Sequence, residues 1–208
     1  MLTRILSALV LIPAVVGIVW FAPPIASIVL IVLVMLLAQI ELMPLTAGQW
    51  PLRILLGFAW IALPLALLAT IRDSYGAPQI MLLFVLIVVS DSAQYFSGRA
   101  FGRHKLAPVI SPKKTVEGAI GGLVASMLVA PWIGSLWLPG VPRWQMAVVG
   151  AVIAIAGMAG DLFESWLKRR AGVKDSGHLI PGHGGILDRI DAWLFAAPLY
   201  YAFLRFVA

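Results

Sequence analysis

The chain has 208 residues, of which 62% are hydrophobic and only 12% charged, with a mean hydropathy of +1.00. That composition excludes an ordinary soluble domain, and the lack of Cys excludes disulfides, thiolate metal sites and Cys nucleophiles. The formal net charge of +6 reflects membrane topology before anything else, because no soluble basic surface exists to hold nucleic acid.

A bilayer-crossing helix needs roughly 20 mainly apolar residues. The pattern predicts seven such segments, near 5–22, 24–43, 53–71, 77–97, 116–137, 144–166 and 186–206. The expected fold is therefore all-α, a polytopic integral membrane protein. The first run carries Arg4, yet no small-residue cleavage site follows Phe21, where Pro23-Pro24 turns the chain into the next span. It reads as a retained helix and not as a signal peptide. Seven spans put 12 basic residues on one side of the membrane and 3 (Arg72, Arg143, Arg205) on the other. That split predicts a cytoplasmic N-terminus and a cytoplasm-facing site.

The single membrane domain, 1–208, divides in character. Residues 1–89 read as scaffold helices with one intramembrane acid, Glu41. Its role stays open between a functional acid and a pair with Gln39 or a basic partner. Residues 90–208 carry the polar chemistry. The stretch Ser165–Asp191 holds five basic residues, three acids, two His and five Gly between greasy segments. An Asp near the bilayer centre costs roughly 2.5–3.5 kcal/mol on insertion scales, so each acid needs a partner or a reason. Asp161, Ser165 and Lys168 fall on one helical face, and Asp188 and Asp191 share another. Carboxylates facing each other across two helices suit a hard cation such as Mg²⁺, which binds through one or two carboxylates plus substrate phosphates. Alternatively, these acids pair with Arg169, Arg170 or Arg189.

Between the acids lie Lys168, Arg169, Arg170 and Lys174, then His183 flanked by glycines. Gly184 and Gly185 let backbone N–H groups approach a phosphate. His183 reads equally as a general base or a loop hydrogen-bonder. A second cluster, 90–118, carries Asp91 and Tyr95 one turn apart, then Arg99, Arg103, His104 and Lys105. Ser111-Pro112-Lys113-Lys114-Thr115 reads as an anion site at a helix start. It is not a Walker loop, since GxxxxGK[ST] is absent. Lys113 and Lys114 serve either the substrate or anionic lipid.

Together these residues resemble the phosphatidate cytidylyltransferase (CDP-diacylglycerol synthase) family. Ser165, Lys168, Arg169, Lys174, Asp175, Gly177, Ile180, His183, Gly184, Gly185, Asp188, Arg189 and Asp191 match its signature without a gap. The cluster Asp91–Gly118 resembles its upstream conserved region, so the likeness covers about residues 90–191. Gln94 departs from the pattern, standing where a small residue is expected. The chain is short for the family, whose members commonly have eight or nine spans, and the difference is expected at the N-terminus.

The resemblance implies CMP transfer from CTP to phosphatidic acid, giving CDP-diacylglycerol and pyrophosphate for phospholipid biosynthesis. It implies Mg²⁺ at a one- or two-cation site held by Asp161 and Asp188, with Asp191 supporting. Lys168 and Arg189 would neutralise charge on the α-phosphate and the leaving group. Ser165 and the Gly184-Gly185 backbone would hold phosphate oxygens, with His183 among the catalytic residues. Lys113, Lys114, Ser111, Thr115, Lys174, Asp91 and Tyr95 would bind substrate. Membrane lipids surround the protein, a homodimer is compatible with the resemblance, and the expected location is a bacterial inner membrane. A same-superfamily enzyme acting on an ether-lipid phosphate or a polyprenyl alcohol, an ion transporter, and an inactive lipid-binding scaffold are the competing readings.

Overall fold

The computed structural model describes residues 2–177, 179 and 184–208, with backbone alone over 2–8. His183 therefore lies outside the described residues. Among those residues the helices form seven rods, close to the seven predicted segments. They are α1 (Leu2–Phe21), α2 (Pro24–Leu45), a composite third rod, α5 (Ala77–Phe101), α6 (Val116–Trp137), α7 (Arg143–Arg170) and α8 (Leu187–Phe206). The third rod joins α3 (Trp50–Leu55), a π-helical stretch (Leu56–Ala62) and α4 (Leu63–Ser74). Five rods, α2, the composite, α5, α6 and α7, are long and apolar enough to cross a membrane. The chain is thus an integral membrane protein built from helices, and the count of seven crossings stays an expectation. α8 falls short on apolarity because Arg189, Asp191 and Arg205 break it.

The π-helical stretch lies immediately before Pro64, whose ring removes an N–H and crowds the carbonyl one turn back. Widening the helix there accommodates the ring, and Gln39 Nε2 donates to the Gly57 carbonyl within the stretch at 2.6 Å.

α5, α6, α7 and α8 pack in sequence, each against the next. Small residues set the spacing, as expected where lipid supplies no hydrophobic drive between helices. At Gly160 a Cβ would collide with the Asp191 carbonyl oxygen, so α7 and α8 touch backbone to backbone there. Gly150 makes the same approach to the Ser126 carbonyl on α6.

Residues 105–115 depart from the expected loop. Lys105–Ala107 (β1) and Ser111–Thr115 (β2) pair antiparallel, Lys105 opposite Thr115 and Ala107 opposite Ser111, with an irregular register between. The ribbon is tied to α6 by Glu117. Its carboxylate accepts from the His104 backbone N–H at 3.2 Å, and its Oε1 lies 2.6 Å from His104 Nδ1. Thr115 ends the ribbon and caps α6, its hydroxyl accepting from the Gly118 N–H at 3.1 Å. The anion-site reading at this helix start meets a donor already taken by the chain itself.

Candidate active site

The polar residues converge on one end of the bundle, where α2, α7 and the ribbon finish and α6 and α8 begin. Two connected clusters stand there.

The first is a cavity of about 410 Å³ whose lining includes Asp91, Tyr95, Lys113, Lys114, Thr115 and Asp161. That volume lies in the range of small-molecule sites. Lys114, carried on β2, reaches α7 and pairs with Asp161 at 2.6 Å. Ser165 Oγ donates to the other Asp161 oxygen at 3.3 Å, the i, i+4 pair the sequence spacing predicted. Asp91 accepts from Gln94 Nε2 at 3.4 Å, and Gln94 also reaches Ser90 Oγ at 3.0 Å. The residue that departs from the family pattern thus steadies an acid of the cavity. Tyr95 accepts from Arg99 at 3.1 Å. Ser111 sits at the far end of the ribbon, outside the cavity lining.

The second cluster joins α7 to α8. Lys168 Nζ donates to Glu164 Oε2 at 2.7 Å and to Asp188 Oδ1 at 2.5 Å. All three side chains are at most 10% exposed. Asp188 Oδ2 accepts from the backbone N–H groups of Ser176 (3.0 Å) and Gly185 (2.8 Å), and lies 3.0 Å from Ser176 Oγ. Gly184 has φ +81°, and a Cβ there would press on Asp188 Oδ2. Glycine is required at that position on both counts. The backbone donors expected to face a phosphate thus include one, at Gly185, that holds a carboxylate.

Asp161 and Asp188 therefore pair with Lys114 and Lys168. Sequence spacing identified the acids and the lysines without indicating which would meet. Asp191 interacts electrostatically with Asp161 and Asp91, so the acids of α5, α7 and α8 share one region. Among the described residues no three of His, Asp and Glu stand close enough to enclose a cation unaided. A hard cation here would have to be bound through one or two carboxylates, with substrate phosphate and water supplying the rest. Lys174 and Arg189 are exposed.

Sequence reasoning left Glu41 unassigned. Its carboxylate accepts from the N–H groups of Ile186 and Leu187, both 2.9 Å, and lies 3.0 Å from Ser176 Oγ, whose single hydrogen goes to either Glu41 or Asp188. Among the described residues these donors take the place of the Gln39 or basic partner weighed from the sequence. The only available signal was the rarity of an acid in an apolar helix.

Comparison with known proteins bears on the same residues. The chain is 44% identical to the phosphatidate cytidylyltransferase of Staphylococcus saprophyticus over 127 residues, 61% of this chain and 48% of the relative. It is 44% identical to that of Brucella suis over 155 residues, 74% and 56% of the two chains. An Escherichia coli protein known as uncharacterized protein YnbB is 43% identical over 142 residues, 68% and 47%. The chain spans about half the length of the curated relatives it matches. A model of the cytidylyltransferase family matches residues 51–207, which takes in both clusters. By that match, over three quarters of its length, the chain belongs to the cytidylyltransferase family.

Proposed function

We propose that this chain transfers CMP from CTP to the phosphate of phosphatidic acid, forming CDP-diacylglycerol and pyrophosphate. The observation that carries the reading is the joining, at one end of the bundle, of two lysine–carboxylate pairs beside a cavity of nucleotide-site size, within a segment that matches the family.

A lipid phosphate oxygen attacks the α-phosphorus of CTP, forming a new P–O bond. The bond from the α-phosphorus to the bridging oxygen breaks, and pyrophosphate leaves with that electron pair. No covalent enzyme intermediate is needed, so the protein works by positioning and charge stabilisation. Lys114 and Lys113 present ammonium groups to the phosphates in the cavity. Lys168, held between Glu164 and Asp188, faces the junction of α7 and α8 with its geometry fixed in advance. Arg189 adds charge from the first turn of α8, and Ser165 orients Asp161. Mg²⁺, bound through Asp161 and Asp188 with Asp191 in support, would neutralise phosphate charge.

The basic split of 12 to 3 supports a cytoplasmic site, reached by CTP from water and by the lipid sideways through the bilayer. The bacterial relatives support an inner-membrane location. A homodimer completes the proposal and is tested by the mass of the solubilised protein.

The test is CDP-lipid formation by the purified full chain with CTP, Mg²⁺ and phosphatidic acid, against an ether-lipid phosphate and a polyprenyl alcohol in parallel. Phosphatidic acid should be the preferred acceptor, and chelation should stop turnover. Preference for either other acceptor would reject the assignment.

A further inference from the structure

Glu41 lies on α2, before the 51–207 segment that matches the family, yet its carboxylate is built into the second cluster. It is only 8% exposed. The first N–H groups of a helix have no partner within it, and Ile186, preceding α8, provides no side-chain cap. Glu41 supplies the missing acceptor from 145 residues away, taking the N–H groups of Ile186 and Leu187 on its two oxygens. Negative charge at a helix N-terminus is favourable. Ser176 Oγ bridges Glu41 Oε2 and Asp188 Oδ2, at 3.0 Å from each. The contacts thus run Glu41, Ser176, Asp188, Lys168, Glu164. Gly177 and Gly185 leave the carboxylate its room, since a Cβ at either would collide with it.

We infer that Glu41 is a positioning residue for the active site: it fixes the start of α8 and Ser176, and through them the placement of Asp188. The N-terminal helices are then part of the catalytic unit and not its scaffold alone. The inference rests on the proposed activity for its kinetic readout, and carries a second readout that does not.

The experiment compares wild type, Glu41→Gln, Glu41→Ala and Ser176→Ala as full chains in lipid nanodiscs. Gln keeps the size and one acceptor oxygen, and presents an NH₂ to a backbone donor in place of the other. Loss of such a support typically costs 10–100-fold in metal affinity or activity. Glu41→Gln should therefore stay folded, lower kcat about tenfold and raise the half-saturating Mg²⁺ concentration about tenfold. KM for phosphatidic acid should hold within about twofold, because Glu41 touches no substrate. Glu41→Ala should lose more, and Ser176→Ala should shift the Mg²⁺ requirement in the same direction. Amide hydrogen exchange at Ile186 and Leu187 should speed up in both Glu41 variants. Wild-type kcat and Mg²⁺ requirement per folded molecule in the Glu41 variants would overturn the inference. If Glu41→Ala does not fold, Glu41→Gln and Ser176→Ala decide by the same criteria. If wild type makes no CDP-lipid, the activity reading fails by itself. Exchange at Ile186 and Leu187 then decides whether Glu41 holds this segment, and unchanged exchange rejects it.

Discussion

Lys168 Nζ stands 2.5 Å from Asp188 Oδ1, a contact across 20 residues that joins the end of α7 to the start of α8. Both side chains are nearly buried, and the same ammonium holds Glu164 at 2.7 Å. A cation so placed is fixed before any substrate arrives, which suits a reaction that gathers charge on phosphate oxygens.

Replacing Lys168 with Met should be costly in two ways. Removing one partner of a buried pair leaves uncompensated charge, at about 3–5 kcal/mol. Thermal unfolding of the detergent-solubilised variant should show that loss, and Glu164→Gln added to it should recover part. Activity should not return in the double variant, since the ammonium is still missing.

Asp188→Asn preserves shape but removes a charge from the cluster. The variant should fold and yield at least about a hundredfold less product, in line with losing a group that supports the transition state. Retained activity would remove Asp188 from the cation site.

Lys114→Ala breaks the 2.6 Å pair with Asp161 at the cavity. Asp161 is 40% exposed there, so stability should change by under about 1 kcal/mol. The effect should fall on substrate, as a rise of about tenfold or more in KM for CTP or phosphatidic acid. Steady-state kinetics against each substrate in turn would identify which phosphate Lys114 meets.

Gly160→Leu should disrupt the α7–α8 junction, since even a Cβ there meets the Asp191 carbonyl. Overpacking of this kind costs about 1–3 kcal/mol. Gly17→Leu, where a Cβ would find open space, is the control. Melting temperatures of the two variants should separate clearly.

Much of this was legible in the sequence because membrane helices declare themselves by length and apolarity. The ends of the seven predicted segments fall within a few residues of the observed rods. The acids and lysines of the site stood out against so apolar a background, and the i, i+4 relation of Asp161 and Ser165 followed from helix geometry alone. Other features depended on contacts far apart in sequence. Nothing local says that Lys114 will meet Asp161, or that Glu41 will cap a helix starting 146 residues later. The ribbon was hidden because β1 is only three residues long and β2 is polar and interrupted by Pro112, which resembles a loop in every local respect. The π-helical stretch was hidden for another reason: its cue, Pro64, predicts a disturbance without saying which kind.

In the proposed reaction the CMP unit of CTP, and no other part, is transferred to a lipid phosphate. The direct measurement incubates the reconstituted full chain and Mg²⁺ with phosphatidic acid and CTP labelled either at the α- or at the γ-phosphate. The α-label should appear in a CDP-lipid and the γ-label in released pyrophosphate, both lost in Asp188→Asn. Label from the γ-position in the lipid, or no labelled lipid from well-folded protein, would contradict it.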